Sequence, residues 1–491
     1  MTGVATLRAR RALATWTGGL VGGPLTVALA SNGSPLITLG AIAGLFVGIS
    51  MLMFPFWGFL LTTLVVPLER IGRMTDDSNA YTFSIMRLLG LVNLAAVLLR
   101  AGLCKAKLKF SLPVVLYGSY LVVGTVSLLF SPDGLSGIRA LGMMLGNLLF
   151  LFLIPNMVET RQQVRLLLIC WLTVTTLIGV FTIVQWHRGA AVTDSRFHST
   201  GERTTDERFS VILRDHSEFD LGASIPRALG PTSHPAVYGI NVIMTIPFFA
   251  YFMRIGTNWK HQFLALVGGL VASYNVLLTN TRAAAVCLAV VIGLVFWKRL
   301  LRLRAEVVFG AILVGVLLLP AIPPALYERI FDVSNYSASR SKTLSARFLY
   351  WKACLEAIVE NPLIGVGLGN QMEIPKRITS ITMPPNSTAH NEYLNSLMEV
   401  GFAGYAILMS FFVVLYRRCR KAEAYFNDSG DGETALLLTA AKVMFLGVLF
   451  YAVQVDCFHF PLKGWWLVMG VAIVLHDVAR KEAARGSISP A

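Results

Sequence analysis

The residues of this 491-residue chain best suited to chemistry fall at the edges of apolar stretches. In Ser387-Thr-Ala-His390-Asn391-Glu-Tyr-Leu394 a histidine stands where a long polar stretch gives way to an apolar run. Imidazole titrates near pH 6.5, so His390 can accept a proton from a hydroxyl at neutral pH. The same residues read equally as the polar start of a helix, with Asn391 as its cap. Arg282, in Leu-Thr279-Asn280-Thr281-Arg282-Ala, lies between two apolar runs, where an arginine serves as interfacial anchor or as anion ligand. Arg227 stands in Pro226-Arg227-Ala-Leu-Gly230-Pro-Thr-Ser-His234-Pro235, again just before an apolar run. A guanidinium fork binds two phosphate oxygens at once, so two arginines and a histidine on one side of a membrane would suit an anionic lipid headgroup. Pro362-Leu-Ile-Gly365-Val-Gly367-Leu-Gly369-Asn370 is glycine-rich, but it has neither GxxxxGK[ST] nor GxGxxG and reads first as a turn. There is no Asp-x-Asp, no HExxH and no acidic pair at metal-ligand spacing. A metal-dependent nucleotide-sugar transferase is therefore not supported, and neither metal nor cofactor is expected. Asp456 and His459 are further polar candidates at another helix end.

The elements that must position these residues are membrane helices. Hydrophobic residues make up 55% of the chain and charged residues 14%, against about 25% charged in a soluble domain. Mean hydropathy is +0.64. This excludes a soluble enzyme, a disordered chain and a fibrous repeat. Apolar runs fall near 12–30, 36–53, 54–68, 83–99, 112–130, 137–155, 165–186, 236–253, 261–279, 283–297, 306–320, 396–416, 436–455 and 461–476. Backbone in lipid must satisfy its own hydrogen bonds, so these are helices. Runs 54–68 and 283–297 are short. The fold class expected is an all-α polytopic membrane protein with about 12–14 transmembrane helices.

The net charge of +15 is distributed in short clusters rather than as a nucleic-acid-binding face, and no nucleic-acid partner is expected. Every second loop is basic: Arg8/Arg10/Arg11, then Arg100 to Lys109, Arg161/Arg165, Arg254/Lys260, Lys298 to Arg304, Arg417 to Lys421, and Arg480 to Arg485. The positive-inside rule then places both termini of the multi-pass chain in the cytoplasm. The basic start reads as leading into a retained first helix, with no cleavable signal peptide. The six cysteines form no CxxC pair and read as small apolar residues. Five segments follow: N-terminal transmembrane helices 1–186, a first large outer loop 187–235, central transmembrane helices 236–320, a second large outer loop 321–395 holding the His390 motif, and C-terminal helices with a cytoplasmic tail 396–491. The first loop holds six arginines and seven acidic residues, so it is charged but nearly neutral. The second contains a helical stripe of Leu344, Phe348, Trp351, Leu355 and Ile358 opposite Arg347, Lys352, Glu356 and Glu360, the pattern of a helix on the membrane surface or capping the bundle.

Taken together, Arg347 and Trp351, then Asn361-Pro362-Leu-Ile-Gly365-Val-Gly367-Leu-Gly369, His390-Asn391-Glu-Tyr-Leu394, Glu399, Gly401 and Gly404 resemble the O-antigen ligase and O-antigen polymerase superfamily of bacterial inner-membrane glycosyltransferases. Arg227, Gly230 and His234-Pro235 look like the family's arginine element, and Thr281-Arg282 like its Thr/Ser-Arg motif. The resemblance implies a many-helix fold with a large periplasmic loop over a membrane-facing cavity. It implies metal-independent transfer of a glycan from an undecaprenyl-diphosphate donor to a glycan or lipid-linked acceptor. His390 would be the general base, and Arg227 and Arg282 would stabilise the leaving diphosphate. Arg347, Asn391, Gly365 and Gly367 would bind substrate. Polysaccharide export or chain-length proteins are the partners such an enzyme would meet, besides the bilayer. A polymerase of O-antigen or exopolysaccharide and a ligase delivering glycan to lipid A-core share these motifs; the two long outer loops, able to hold two glycan chains, favour the polymerase. A transporter of lipid-linked glycan would instead need charges at mid-membrane, for which Arg87, Lys442 and Lys463 are candidates, and matching broken helices, for which no half-to-half symmetry is visible.

Overall fold

The computed structural model describes residues 35–68, 84–131, 134–187, 213–214, 227–232, 234–301, 337–370, 373–378, 389–455 and 462–486. The expected runs 12–30 and 306–320, most of the first long loop, residues 321–336, 371–372 and 379–388 of the second, and Asp456 and His459 lie outside the described residues. Every other apolar run is helical. In chain order these are α1 (Pro35–Met53), α2 (Pro55–Val65), α3 (Ile85–Cys104), α4 (Leu112–Ser127), α5 (Gly134–Met157), α6 (Arg161–His187), α7 (Pro235–Ile243), α8 (Ile246–Ile255), α9 (Trp259–Leu278), α10 (Arg282–Trp297), α11 (Ser337–Glu360), α12 (Glu373–Arg377), α13 (Glu392–Asp428), α14 (Gly432–Tyr451) and α15 (Lys463–Gly486). A two-residue pairing of β1 (Leu213–Arg214) with β2 (Arg227–Ala228) is the only sheet among the described residues. Eight helical segments there are long and apolar enough to cross a membrane. The chain is an all-α polytopic membrane protein.

The helices run alternately between two ends of one bundle. At one end lie the basic clusters. The Asn156 amide bridges to Lys109, Arg161 binds Asp431 and Glu482, and Arg254 donates to the Arg299 carbonyl. At the other, here the site end, lie Arg227, Arg282 and His390. Tyr117 and Trp466, 4.6 Å apart, anchor an aromatic core that includes Phe411 and Trp465 and joins α4, α13 and α15.

Three local departures from straight helices shape the site end. The run 236–253 splits into α7 and α8 because Pro247 cannot donate a backbone bond, and Thr245 Oγ1 caps the gap on the Val242 carbonyl at 2.7 Å. The run 396–416 is not one straight span. Gly401 has φ 61 and ψ −173 inside α13. Cys419 bonds to Leu438, and Tyr393 to Leu449, both on α14. Twenty-six residues of continuous helix would rise about 39 Å, whereas the eleven between the α14 partners rise about 17 Å. The Glu392–Val400 half therefore turns across the site end, and the membrane-crossing half starts after Gly401.

The third departure is in α11. Of the stripe read from sequence, Trp351 and Ile358 pack inward and Phe348 and Leu355 do not. Phe348 is 63% and Leu355 52% exposed, while Ala353, Cys354, Ala357 and Ile358 are buried with Met398 of α13. The small side chains at 353, 354 and 357 allow the close approach that the larger ones would block.

Candidate functional site

Arg227 follows β1 in the β-pair and points at the turn between α9 and α10. Its Nε donates to the Thr279 carbonyl at 2.9 Å and its Nη2 to Thr281 Oγ1 at 2.7 Å. Those two bonds fix the plane of the guanidinium beside Arg282, the first residue of α10. The turn itself is held from below. Asn280 is buried with φ 47, a left-handed position that asparagine tolerates. One turn earlier Asn275 accepts from the Tyr238 hydroxyl at 2.8 Å and donates to the Gly179 carbonyl at 3.1 Å, tying α9 to α7 and α6. Gly230 faces this network; a Cβ there would sit 2.3 Å from the Tyr238 ring. Neither Thr279, Thr281, Asn275 nor Tyr238 stood out in the sequence as supporting the arginine. The only signal was the polar Thr-Asn-Thr between apolar runs.

His390 comes to the same level by a separate route. Cys287 of α10 bonds to the Gly447 carbonyl of antiparallel α14 at 3.5 Å. Five residues back along α10 is Arg282; five residues on along α14 is Ala452, whose carbonyl accepts from the Glu392 amide at 2.9 Å. His390 lies two residues before Glu392. It is exposed, with φ 49, and the Tyr350 ring of α11 lies 6.5 Å from its own. The neighbouring Ala389 carbonyl accepts from Trp351 Nε1 at 3.0 Å. Asn391 is the N-cap of α13, accepting from the amides of Tyr393 and Leu394 at 3.1 and 3.2 Å. The structure thus gives Asn391 a structural task in holding the histidine at a helix start. Behind it, Glu392, Ser396 and Glu399 are buried on α13, with Ser396 Oγ donating to Glu392 at 3.1 Å.

The glycines occupy a different environment. Gly365 and Gly367 are buried, with φ 79 and 106. Val366 donates to the Met398 carbonyl at 2.9 Å and Gly367 to the Glu399 carbonyl at 3.1 Å, while Phe402 and Ala403 donate back to Pro362 and Leu363. A Cβ at Gly365 would lie 2.5 Å from the Glu399 backbone, and one at Gly367 2.4 Å from Ser131. The loop therefore fills the break at Gly401 and takes up the backbone groups that the break frees.

Arg347 is half-buried on α11, one turn before Trp351, and its Nε is buried with no hydrogen-bond partner among the described residues. At the far end of α11, Arg377 pairs with Glu360 at 2.6 Å and with Glu373 at 2.6 Å, clamping α12 to α11. The Arg377 guanidinium, bonded to the Glu360 carboxylate, holds it below its usual range. Of the mid-membrane candidates, Lys442 pairs with Glu423, and Lys463 donates to Asn147 at 2.6 Å.

Residues 267–409 match the family model described as O-Antigen ligase. The match supports the resemblance of this segment to the O-antigen ligase and polymerase superfamily. It contains Arg282, Arg347, Gly365, Gly367, His390 and Asn391. Arg227 lies outside it but is bonded to Thr279 and Thr281 within it. A Haemophilus influenzae chain described as an uncharacterized protein is 26% identical over 184 residues, covering 34% of this chain and 45% of that protein. The similarity thus spans less than half the length of that relative.

Proposed function

We propose that this chain transfers a glycan from an undecaprenyl-diphosphate donor to an acceptor sugar hydroxyl, as a polysaccharide polymerase at the periplasmic face of a bacterial inner membrane. The observation that carries the reading is the meeting of Arg227, the Thr281-Arg282 turn and His390 at one end of the bundle. The basic clusters occupy the opposite end, so the positive-inside rule puts the site outside and both termini in the cytoplasm.

In the proposed reaction an imidazole nitrogen of His390 takes the acceptor hydroxyl's proton as its oxygen attacks the anomeric carbon. The bond from that carbon to the diphosphate oxygen breaks, and its electron pair leaves with the diphosphate. Arg227 and Arg282 stabilise the charge developing there, the place a metal ion fills in other transferases. The bonds from Arg227 to Thr279 and Thr281 support this role because a preoriented cation needs no rearrangement as charge develops. Arg347, with its buried Nε, would hold the donor from above. Gly365, Gly367 and Asn391 then act by positioning α13 and its histidine, a narrower role than direct substrate binding.

The test is turnover of a lipid-linked glycan by the purified protein in detergent, where no sealed membrane is needed and transport cannot register. His390→Ala should lower the rate by about 10²–10⁴-fold. Near wild-type turnover at normal expression would refute the base assignment. In a deletion strain, single repeat units on the lipid carrier mark a lost polymerase. Full-length chains still on the carrier mark a lost ligase, the alternative that the shared motifs allow.

A further inference from the structure

A cavity of about 270 Å³ lies between α3, α5 and the start of α15. That is near the lower end of ligand pockets, about 300–1,000 Å³. It is lined on α3 by the first two turns, Ser84 to Leu91, and on α5 from the middle of the helix onward, Gly142 to Leu153. Its elements are not those that carry Arg227, Arg282 and His390.

Its shape follows from the sequence. Gly142 and Gly146 on α5 form a GxxxG pair, the spacing that lets membrane helices touch. Among the described residues no helix fills that face: a Cβ at Gly142 would meet nothing within 4 Å, and one at Gly146 would meet only Lys463 Nζ, at 3.4 Å. From Gly142 to Leu153 the lining runs along one face of α5, about 17 Å of helix. Leu91, on the rim, is 56% exposed, so the cavity opens sideways between α3 and α5.

Its lining is divided by polarity. Arg87 and Lys463 both line it, with Ser84 and Thr62, and among the described residues no acidic side chain does. Lys463 is 8% exposed, its ammonium held by Asn147 at 2.6 Å. Phe150, Leu149 and Leu153 supply apolar lining. Two cations beside an apolar slot, opening to the side in a membrane-spanning bundle, are complementary to a lipid with an anionic phosphate head. Arginine supplies the fork for phosphate oxygens, and lysine the point charge.

We infer that this cavity binds a phosphate-headed membrane lipid, its head on Arg87 and Lys463 and one chain along the α5 face, at a site separate from the proposed catalytic centre. The inference does not rest on the transferase reading, because its readout is lipid retention and not turnover.

Native mass spectrometry of the full chain in detergent would count retained lipid. The protein would be titrated in parallel with phosphatidylglycerol, undecaprenyl phosphate and, as the neutral control, diacylglycerol. The wild type should keep one equivalent of phosphatidylglycerol or undecaprenyl phosphate, the two arms telling which lipid is the source, and should release diacylglycerol. Arg87→Gln with Lys463→Gln should weaken retention about tenfold or more. Gly142→Phe, which fills open space and leaves both cations in place, should block it with the protein still monodisperse. Equal retention of diacylglycerol, or unchanged retention in both the double variant and Gly142→Phe, would overturn the proposal.

Discussion

At Arg227 the fold preserves an orientation as well as a charge. Nε and Nη2 are committed to Thr279 and Thr281, so Arg227→Lys keeps the charge but cannot make both bonds. Turnover of lipid-linked glycan should fall at least about tenfold while thermal stability changes little; an unchanged rate would mean that charge alone suffices. Thr281→Val should act in the same direction and more weakly, since it removes only the Nη2 bond. Gly365 is the contrasting case. With φ 79 and the Glu399 backbone 2.5 Å from any added Cβ, Gly365→Ala carries strain of about 1–3 kcal/mol from φ alone, and the overlap adds to it. The expected result is loss of folded protein by size-exclusion chromatography. A folded variant that fails only in substrate binding would restore the direct binding role for this glycine. His390, Arg282 and Arg227 could be singled out in the sequence because the motifs around them carry the family resemblance as well as lying at the edges of apolar runs. The threonines and Tyr238 could not, because a hydroxyl's partner across the bundle leaves no trace in local spacing.

At the scale of elements, α13 departs most from its sequence pattern. Its apolar periodicity continues through Gly401, and glycine is common in membrane helices, so nothing local marks a break. The break is visible only through residues nearly forty positions earlier, whose backbone pairs with Met398, Glu399, Phe402 and Ala403. The α11 stripe divides between two surroundings: Trp351 and Ile358 pack inward with the small Ala353 and Ala357, while Phe348 and Leu355 stay exposed, as on a helix lying at the membrane surface or over the bundle. Asn391 was legible as a cap from its position alone. Asn391→Ala should destabilise by about 1 kcal/mol, read as a lowered unfolding midpoint. The clamp of α12 on α11 has a pH dependence with a defined sign. The carboxyl of Glu360 is held below its ordinary range in the folded protein, so its contribution is complete above the unfolded carboxylate pKa. It is lost only as pH falls through the lowered folded value. Hydrogen exchange at 373–378, corrected for intrinsic rate, should stay slow at neutral pH and quicken below the carboxylate range. Arg377→Met should remove that dependence.

For the molecule as a whole, the alternation of basic loops proved the most readable feature, because it depends on composition at each turn and not on side-chain geometry. The structure gathers those described clusters at one end, where Arg161 joins α6 to Asp431 and Glu482, and Arg165 reaches Glu433. Reporter fusions at Gly430 and Gly256 should both report the cytoplasm, and one at Asn280 the periplasm; a reversed pattern would overturn the proposed orientation. Two elements of the site, the Gly365–Gly369 loop and the α4–α5 region, meet across a long stretch of chain. The Leu368 amide bonds to Ser127 Oγ, 241 residues away, and the loop is itself held by residues up to Ala403. Synthesis proceeds at about 5–20 residues per second, so the N-terminal helices wait on the order of 10–50 s in the membrane before their closing partner exists. During that interval the groove around Ser127, Ser131 and Gly137 is open. The time that groove stays open is therefore set by translation speed, and a pause in decoding after α10 would prolong it.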